Sequence, residues 1–207
     1  MDSTSTNFFS LIMHTLIFAT NNQHKVDETK SIPGINYRII SLKEAEINID
    51  IPEPYNTLEE NATEKSNVVY KLTGSDCFSE DTGLEVDALN GKPGVKSARY
   101  AGDESSSEKN IEKLLLKMKG SENRTAQFRS VLSLMLNGTE YKFEGICKGT
   151  ILAYTRGQEG FGYDPVFLPE GATRTFAEMD MEEKNKFSHR KKAMDKLIAF
   201  LNKASKK

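Results

Sequence analysis

The chain is poor in the residues that mark several common chemistries. It has two cysteines, Cys77 and Cys147, and three histidines in 207 residues. No CxxC or HxxxH spacing marks a zinc site. Both cysteines sit in apolar, strand-like runs, where buried reduced thiols are expected. His14, His24 and His189 form no triad and no GxSxG elbow is present, so nucleophilic serine or cysteine catalysis has little support. No apolar run is long enough to span a membrane. There is also no excess of positive charge. Lys and Arg number 28 against 30 Asp and Glu, a net charge of -2. That excludes the global basic field of a non-specific duplex binder, so no nucleic-acid partner is expected. An anionic ligand has to be held locally, by clustered cations or by carboxylates that share a metal.

What is present is ordinary soluble-protein composition, 37% hydrophobic and 28% charged, in a length that suits one domain or two closely joined lobes. MDSTSTNFFSLIM lacks a basic n-region and a cleavage-like end. Residues 1–13 read as a disordered extension, with Met13 a second candidate start, and 14–207 as a single domain. Thr15 to Thr20 predicts a buried strand, followed by a polar loop and a helix from about Lys25. Tyr37 to Ser41 predicts a second strand. Thr57-Leu-Glu-Glu60 is a capping-box pattern opening a helix that Gly74 ends. Cys77-Phe78 and Leu84 to Ala88 predict short strands around a turn at Asp81-Thr82-Gly83. Ile111, Leu114, Leu115 and Met118 recur at helical spacing within Ser107 to Lys119. Met194, Leu197, Ile198 and Leu201 do so within Ser188 to Lys203. Ala126 to Leu136 and Glu140 to Tyr154 predict a long hairpin turning at Asn137-Gly138. The pattern is that of an α/β protein with a mixed sheet flanked by helices.

Four constellations carry candidate chemistry, each with a plainer reading beside it. Thr20-Asn21-Asn22-Gln23-His24-Lys25 joins a strand to a helix start, where free N–H groups and the helix dipole attract phosphate. Without Walker glycines, and judged alone, it reads more readily as an ordinary connection with an Asn cap. Lys65 falls on the apolar face Leu58, Ala62, Val69, Leu72, so it either snorkels to solvent or enters a polar cleft. Glu53, Glu80 and Asp81 could gather around Mg²⁺, and one of them could deprotonate water; acidic loops are more often merely solvated. Finally, Glu159 to Phe167 (EGFGYDPVF) sets Phe161, Gly162, Tyr163 and Asp164 in a glycine-rich turn, and Glu182 to Arg190 (EEKNKFSHR) adds Lys184, His189 and Arg190. An aromatic face, a carboxylate and cationic donors suit a planar, phosphorylated ligand such as a nucleotide.

Taken together, TNNQHK at 20–25, SEDTGLEVDALNGKPGVKSARYAG at 79–102, GFGYDPVF at 160–167 and KNKFSHR at 184–190 resemble the inosine triphosphate pyrophosphatase family. The resemblance runs from about Leu16 over nearly the whole chain. It implies an elongated α/β fold with a nucleotide cleft between two lobes, a cytoplasmic homodimer, and Mg²⁺-dependent cleavage of ITP, dITP and XTP to the monophosphate and pyrophosphate. By position, Thr20, Asn22, Lys25 and Lys65 would hold phosphates, and Asn21, Gln23 and His24 lie in the same binding segment. Glu53 and Asp81 would bind metal, with Asp81 also activating water. Glu80 stands where many relatives have aspartate, and Thr82, where relatives have serine, would touch substrate. Phe161 would stack on the purine, with Gly162, Tyr163, Asp164, Lys184, His189 and Arg190 around it. The alternatives are a Maf-type nucleotide pyrophosphatase, or a nucleotide-binding regulator that does not hydrolyse.

Overall fold

The computed structural model describes residues 14–35, 37–103 and 106–204. The expected N-terminal extension, 1–13, lies outside them. Seven strands form one mixed sheet. β1 (Thr15–Phe18), next to one edge, pairs in parallel with the edge strand β2 (Arg38–Ser41) and with β3 (Cys77–Val86). The antiparallel half continues through β5 (Thr125–Leu136), β6 (Thr139–Ile151) and β7 (Phe167–Pro169), while short β4 (Lys92–Gly94) pairs with the end of β3. Asn137 and Gly138 both take positive φ, 50° and 79°, which lets two residues turn β5 into β6.

Helices cover both faces. On one lies α2 (Leu58–Thr73), capped by Thr57, whose hydroxyl accepts the Glu60 N–H and donates to the Glu60 carboxylate, and stopped by left-handed Gly74. Its Leu58 and Ala62 pack with Val131 of β5. On the other lies α5 (His189–Ala204), whose Met194, Leu197 and Leu201 meet Phe18, Phe78, Leu132 and Leu134. Helix α1 (Gln23–Lys30) joins this side through Val26. Helix α3 (Ser107–Lys117) buries Ile111 and Leu114 under the distal end of the sheet, and α4 (Met181–Phe187) leads into α5. Cys77 and Cys147 are free and buried, and burial pushes their thiols up to about 12 and about 11.

The structure corrects three sequence expectations. Asp81-Thr82-Gly83 is not a turn between short strands; it is the middle of β3, a continuous strand of 10 residues. Turn-forming residues are tolerated there because β5 pairs the whole strand and cations meet its carboxylates. Strand β1 stops at Phe18 rather than Thr20, because the Thr20 hydroxyl accepts the Asn22 N–H at 3.1 Å and turns the chain into α1. Leu72, expected on the apolar face of α2, is 59% exposed in the last turn of the helix.

Gly83 lets β4 close over β3: a Cβ there would meet the Gly94 carbonyl oxygen at 2.7 Å. Gly83→Ala is therefore expected to lower stability by about 1–3 kcal/mol through overpacking. Urea unfolding with an unchanged midpoint would show that the contact relaxes freely.

Candidate active site

The site begins where β1 runs out. β1 ends opposite Phe78, and β4 does not reach β3 until Leu84. Among the described residues, the edge of β3 between them has no strand beside it, at the carboxyl end of β1 where strand order reverses from β2 to β3. Ligands favour this position in such sheets. A cavity of about 560 Å³ opens here. The Glu80 carbonyl on this edge accepts Lys65 Nζ at 2.8 Å and Lys25 Nζ at 3.4 Å.

Lys65 enters from α2 and is buried; it does not snorkel. Its Nζ lies 2.6 Å from Glu53 Oε1 and 3.1 Å from Asp81 Oδ1. Burial alone would lower its pKa, but Asp81 and Glu53 raise it above the ordinary lysine value. The two carboxylates diverge. Burial opposes ionisation of Glu53, yet Lys65 and other cations hold it below the usual range, while burial keeps Asp81 raised despite Lys65 and Lys25. Half-buried Lys25 is lowered, by burial first and against the pull of Glu80. Arg99 reaches Glu53 from the other side at 3.4 Å, and Asn61 Nδ2 lies 3.4 Å from Asp81 Oδ2.

Successive strand residues point to opposite faces. Glu80, expected as a metal ligand beside Asp81, is thereby turned to the α5 face, away from Glu53 and Asp81. Its Oε2 accepts Arg190 Nε at 2.8 Å, and its Oε1 accepts Ser130 Oγ at 2.5 Å and Thr82 Oγ1 at 2.6 Å. Arg190 also pairs with Glu28, which holds Lys184 Nζ at 2.6 Å, and Lys184 bonds Asp164 Oδ2 at 2.6 Å. Burial opposes the charges of Glu28 and Glu80, but Arg190 with Lys184 or Lys25 keeps both carboxyls below the usual range. Burial leaves Asp164 raised.

Phe161 stands above this chain of charges, with Lys184 Nζ 5.4 Å and Arg190 Cζ 5.7 Å from its ring centroid. Asp164 also accepts the Phe161 N–H at 3.0 Å. His189 is 4% exposed, stacks on Phe128 at 4.8 Å, and keeps Nδ1 without a hydrogen-bond partner. Burial drives its pKa well below the ordinary value, so it is neutral. Tyr163 is a packing residue whose hydroxyl donates to the Ser97 carbonyl at 2.9 Å.

The cavity thus gathers Thr20, Asn21, Asn22, Lys25, Glu53, Lys65, Asp81 and Thr82 on one side with His24, Phe161, Gly162, Tyr163, Asp164, Lys184, His189 and Arg190 on the other. Two expected members do not line it: Glu80, turned away, and Gln23, which borders a separate hollow and bonds Asp27 at 2.7 Å. Sequence reasoning missed Glu28, Asn61 and Arg99. A signal existed for Asn61, which lies on the same face of α2 as Leu58 and Lys65. Eight-residue α1 is too short for periodicity to reveal Glu28. Among the described residues no group of three or more His, Cys, Asp or Glu side chains is arranged to hold a metal ion. Glu53 and Asp81 nevertheless offer oxygens to one shared cation, the Lys65 ammonium, and such an all-oxygen donor set suits a hard divalent ion.

Comparison with known proteins agrees with this architecture. The model of the Ham1 family matches residues 16–200. The dITP/XTP pyrophosphatase of Christiangramia forsetii is 49% identical over 188 residues, covering 91% of this chain and 99% of that protein. The dITP/XTP pyrophosphatase of Flavobacterium johnsoniae is 47% identical, with coverage of 90% and 97%. Among solved structures, the Staphylococcus aureus Ham1 protein superposes with a TM-score of 0.83 at 40% identity, covering 92% of this chain and 99% of that one. A HAM1 protein from Coxiella burnetii gives 0.84 at 34%, with coverage of 92% and 100%.

Arg190 is the keystone of the buried charges. Arg190→Met leaves Glu28 and Glu80 without their shared partner, an expected loss of about 3–5 kcal/mol at pH 7. Both carboxyls have depressed pKa values when folded. Their contribution is therefore present above the ordinary glutamate value of 4.5 and lost as pH falls through the folded values. The gap between parent and variant should narrow below that pH. A gap independent of pH in chemical unfolding would separate the loss from these ion pairs.

Proposed function

The chain belongs to the Ham1 family, and we propose that it hydrolyses non-standard purine nucleoside triphosphates (ITP, dITP and XTP) to the monophosphate and pyrophosphate. One observation carries the reading. A single cavity joins a lysine–carboxylate wall suited to phosphoanhydrides to a wall with an aromatic ring and polar groups suited to a purine. The names of the two relatives support the substrate class.

Thr20, Asn21, Asn22, Lys25 and Lys65 bind the phosphate chain on this reading, with Thr82 touching substrate. Asp81 takes the proton from the attacking water. Its pKa is pushed apart from that of its neighbour Glu53, the pattern that distinguishes a base from a permanently ionised partner. The water oxygen bonds to the α-phosphorus, the bond from that phosphorus to the bridging oxygen breaks, and pyrophosphate leaves against Lys25 and Lys65. Catalysis of this kind rests on positioning and charge stabilisation. The cations of the wall, Lys25, Lys65, Arg99, Lys184 and Arg190, already face Asp50, Glu53, Asp81 and Asp164 on the cavity surface and Glu28 and Glu80 behind Arg190. A triphosphate therefore adds charge that the wall does not neutralise. Glu53 and Asp81 would hold Mg²⁺, which when bound supplies that neutralisation.

At the other end Phe161 stacks on the base. His189 and Arg190 face its O6 edge, and Asp164, held by Lys184, orders the turn that reads the N1–C2 edge. Arg190 Nε and Nη1 are held by carboxylates, which leaves Nη2 for a ligand. Adenine presents a donor where O6 is expected. Unpaired buried groups can then cost about 10⁴-fold in rate. The family resemblance extends the proposal to a two-lobed homodimer acting in the cytoplasm, with residues 14–207 as one catalytic domain. No helix among the described residues is long and apolar enough to cross a membrane.

Purified protein with Mg²⁺ should release pyrophosphate, not orthophosphate, from ITP, dITP and XTP, and little from ATP or GTP. Equal turnover of ATP would refute the base selectivity, and binding of ITP without product would favour a regulator. Asp81→Asn should retain nucleotide binding and lose about 10²-fold or more in kcat. Parental activity in that variant would remove Asp81 as the base.

A further inference from the structure

His24 lies in the segment assigned to the phosphates, yet its ring is at the other end of the cavity. It stacks on Phe161, with centroids 5.1 Å apart and planes 13° from parallel. The local fold explains the reach. Asn22 caps α1, Lys25 turns inward to the Glu80 carbonyl, and His24, in the same first turn, projects from a different side of the helix. His24 itself is exposed. The other aromatic rings of the cavity wall are otherwise occupied: Phe128 is covered by His189, and Tyr163 is buried and tied to Ser97. Phe161 is the half-buried ring, and Lys184 and Arg190 already crowd it.

Two rings 5.1 Å apart leave no room for a third between them. We propose that His24 is a positioning residue of the base site: it covers a stacking face of Phe161 in the empty cleft and yields that face to the incoming purine. The inference rests on the reading of Phe161 as the base platform. An exposed ring held by one stack is the kind of contact a larger ring can displace. Stacking of this type biases an equilibrium by about two- to ten-fold. The nucleotide therefore binds less tightly than an uncovered platform would allow. The effect is expected at the base, because the Lys25 and Lys65 ammonium groups are held by the Glu80 carbonyl and not by His24.

The test combines kinetics with a direct view of the ring. His24→Ala should lower KM for ITP by about two- to ten-fold with kcat within about two-fold of the parent, and leave inhibition by inorganic pyrophosphate unchanged. His24→Phe restores the stack and should return KM to the parental value or above. Because His24 is exposed, the thermal midpoint should stay within about 3 °C of the parent. In the parent, the His24 ring protons, assigned by comparison with His24→Gln, should sit in the ring current of Phe161. They should move toward the positions of an unstacked histidine when IMP is added. An unchanged or higher KM in His24→Ala, or His24 resonances that stay put while IMP binds, would overturn the proposal even if ITP is hydrolysed as expected. Failure of both ITP hydrolysis and IMP binding would instead overturn the functional reading beneath it.

Discussion

Glu80 and Asp81 are neighbours in the middle of a buried strand, and everything around the cleft follows from the need to compensate them. Alternation sends their side chains to opposite faces, so one cation cannot serve both. Lys65 from α2 answers Asp81 on one face, and Arg190 from α5 answers Glu80 on the other. Uncompensated carboxylates at these positions would be costly enough to neutralise themselves or unfold the strand. The two helices that cover the sheet are thus fixed by charge as well as by Val131, Leu132 and Leu134. The same strand edge is open because β1 is short, so both compensating cations reach a site that a ligand can enter.

Compensation also sets the chemistry of the two walls. At the Lys65 end the charges are shared loosely: one ammonium touches two carboxylates and a carbonyl, with an Asp81 oxygen facing Asn61 only at 3.4 Å. On the proposed reading, this is the end that an incoming triphosphate would rearrange. At the Arg190 end the charges are closed into a chain from Glu80 through Arg190, Glu28 and Lys184 to Asp164. It is buried throughout and braced by Ser130 and Thr82. A rigid set of donors suits discrimination between bases, where a mismatch must not be absorbed by movement.

Much of this was legible in the sequence because it is local. The Thr57 box, Gly74, Asn137-Gly138 and the helical spacing of Met194 to Leu201 each carry their own physical cause, and the elements formed where they pointed. Lys65 was visible as a charge on an apolar face. The middle of β3 was not, because Asp-Thr-Gly has turn chemistry and only partners far along the chain make it a strand. Arg190 is 110 positions from Glu80. Nothing in a single sequence links them, and the same distance hides Glu28, which is 162 positions from Arg190. Glu80 and Asp81 are adjacent in sequence, but the strand pleat turns their side chains to opposite faces, which a turn at this point would not. The family resemblance supplied the residues but not the face each one takes.

Helix α1 ties the two walls together. In eight residues it presents His24 to the Phe161 ring, Lys25 to the strand edge, and Glu28 to Lys184 and Arg190. Its N-terminus is set by Asn22 and Thr20, the same residues placed against the phosphates. These contacts, more than its own packing, hold a short helix whose one apolar residue is Val26. On the proposed reading, a single element therefore carries groups for both the base and the phosphates.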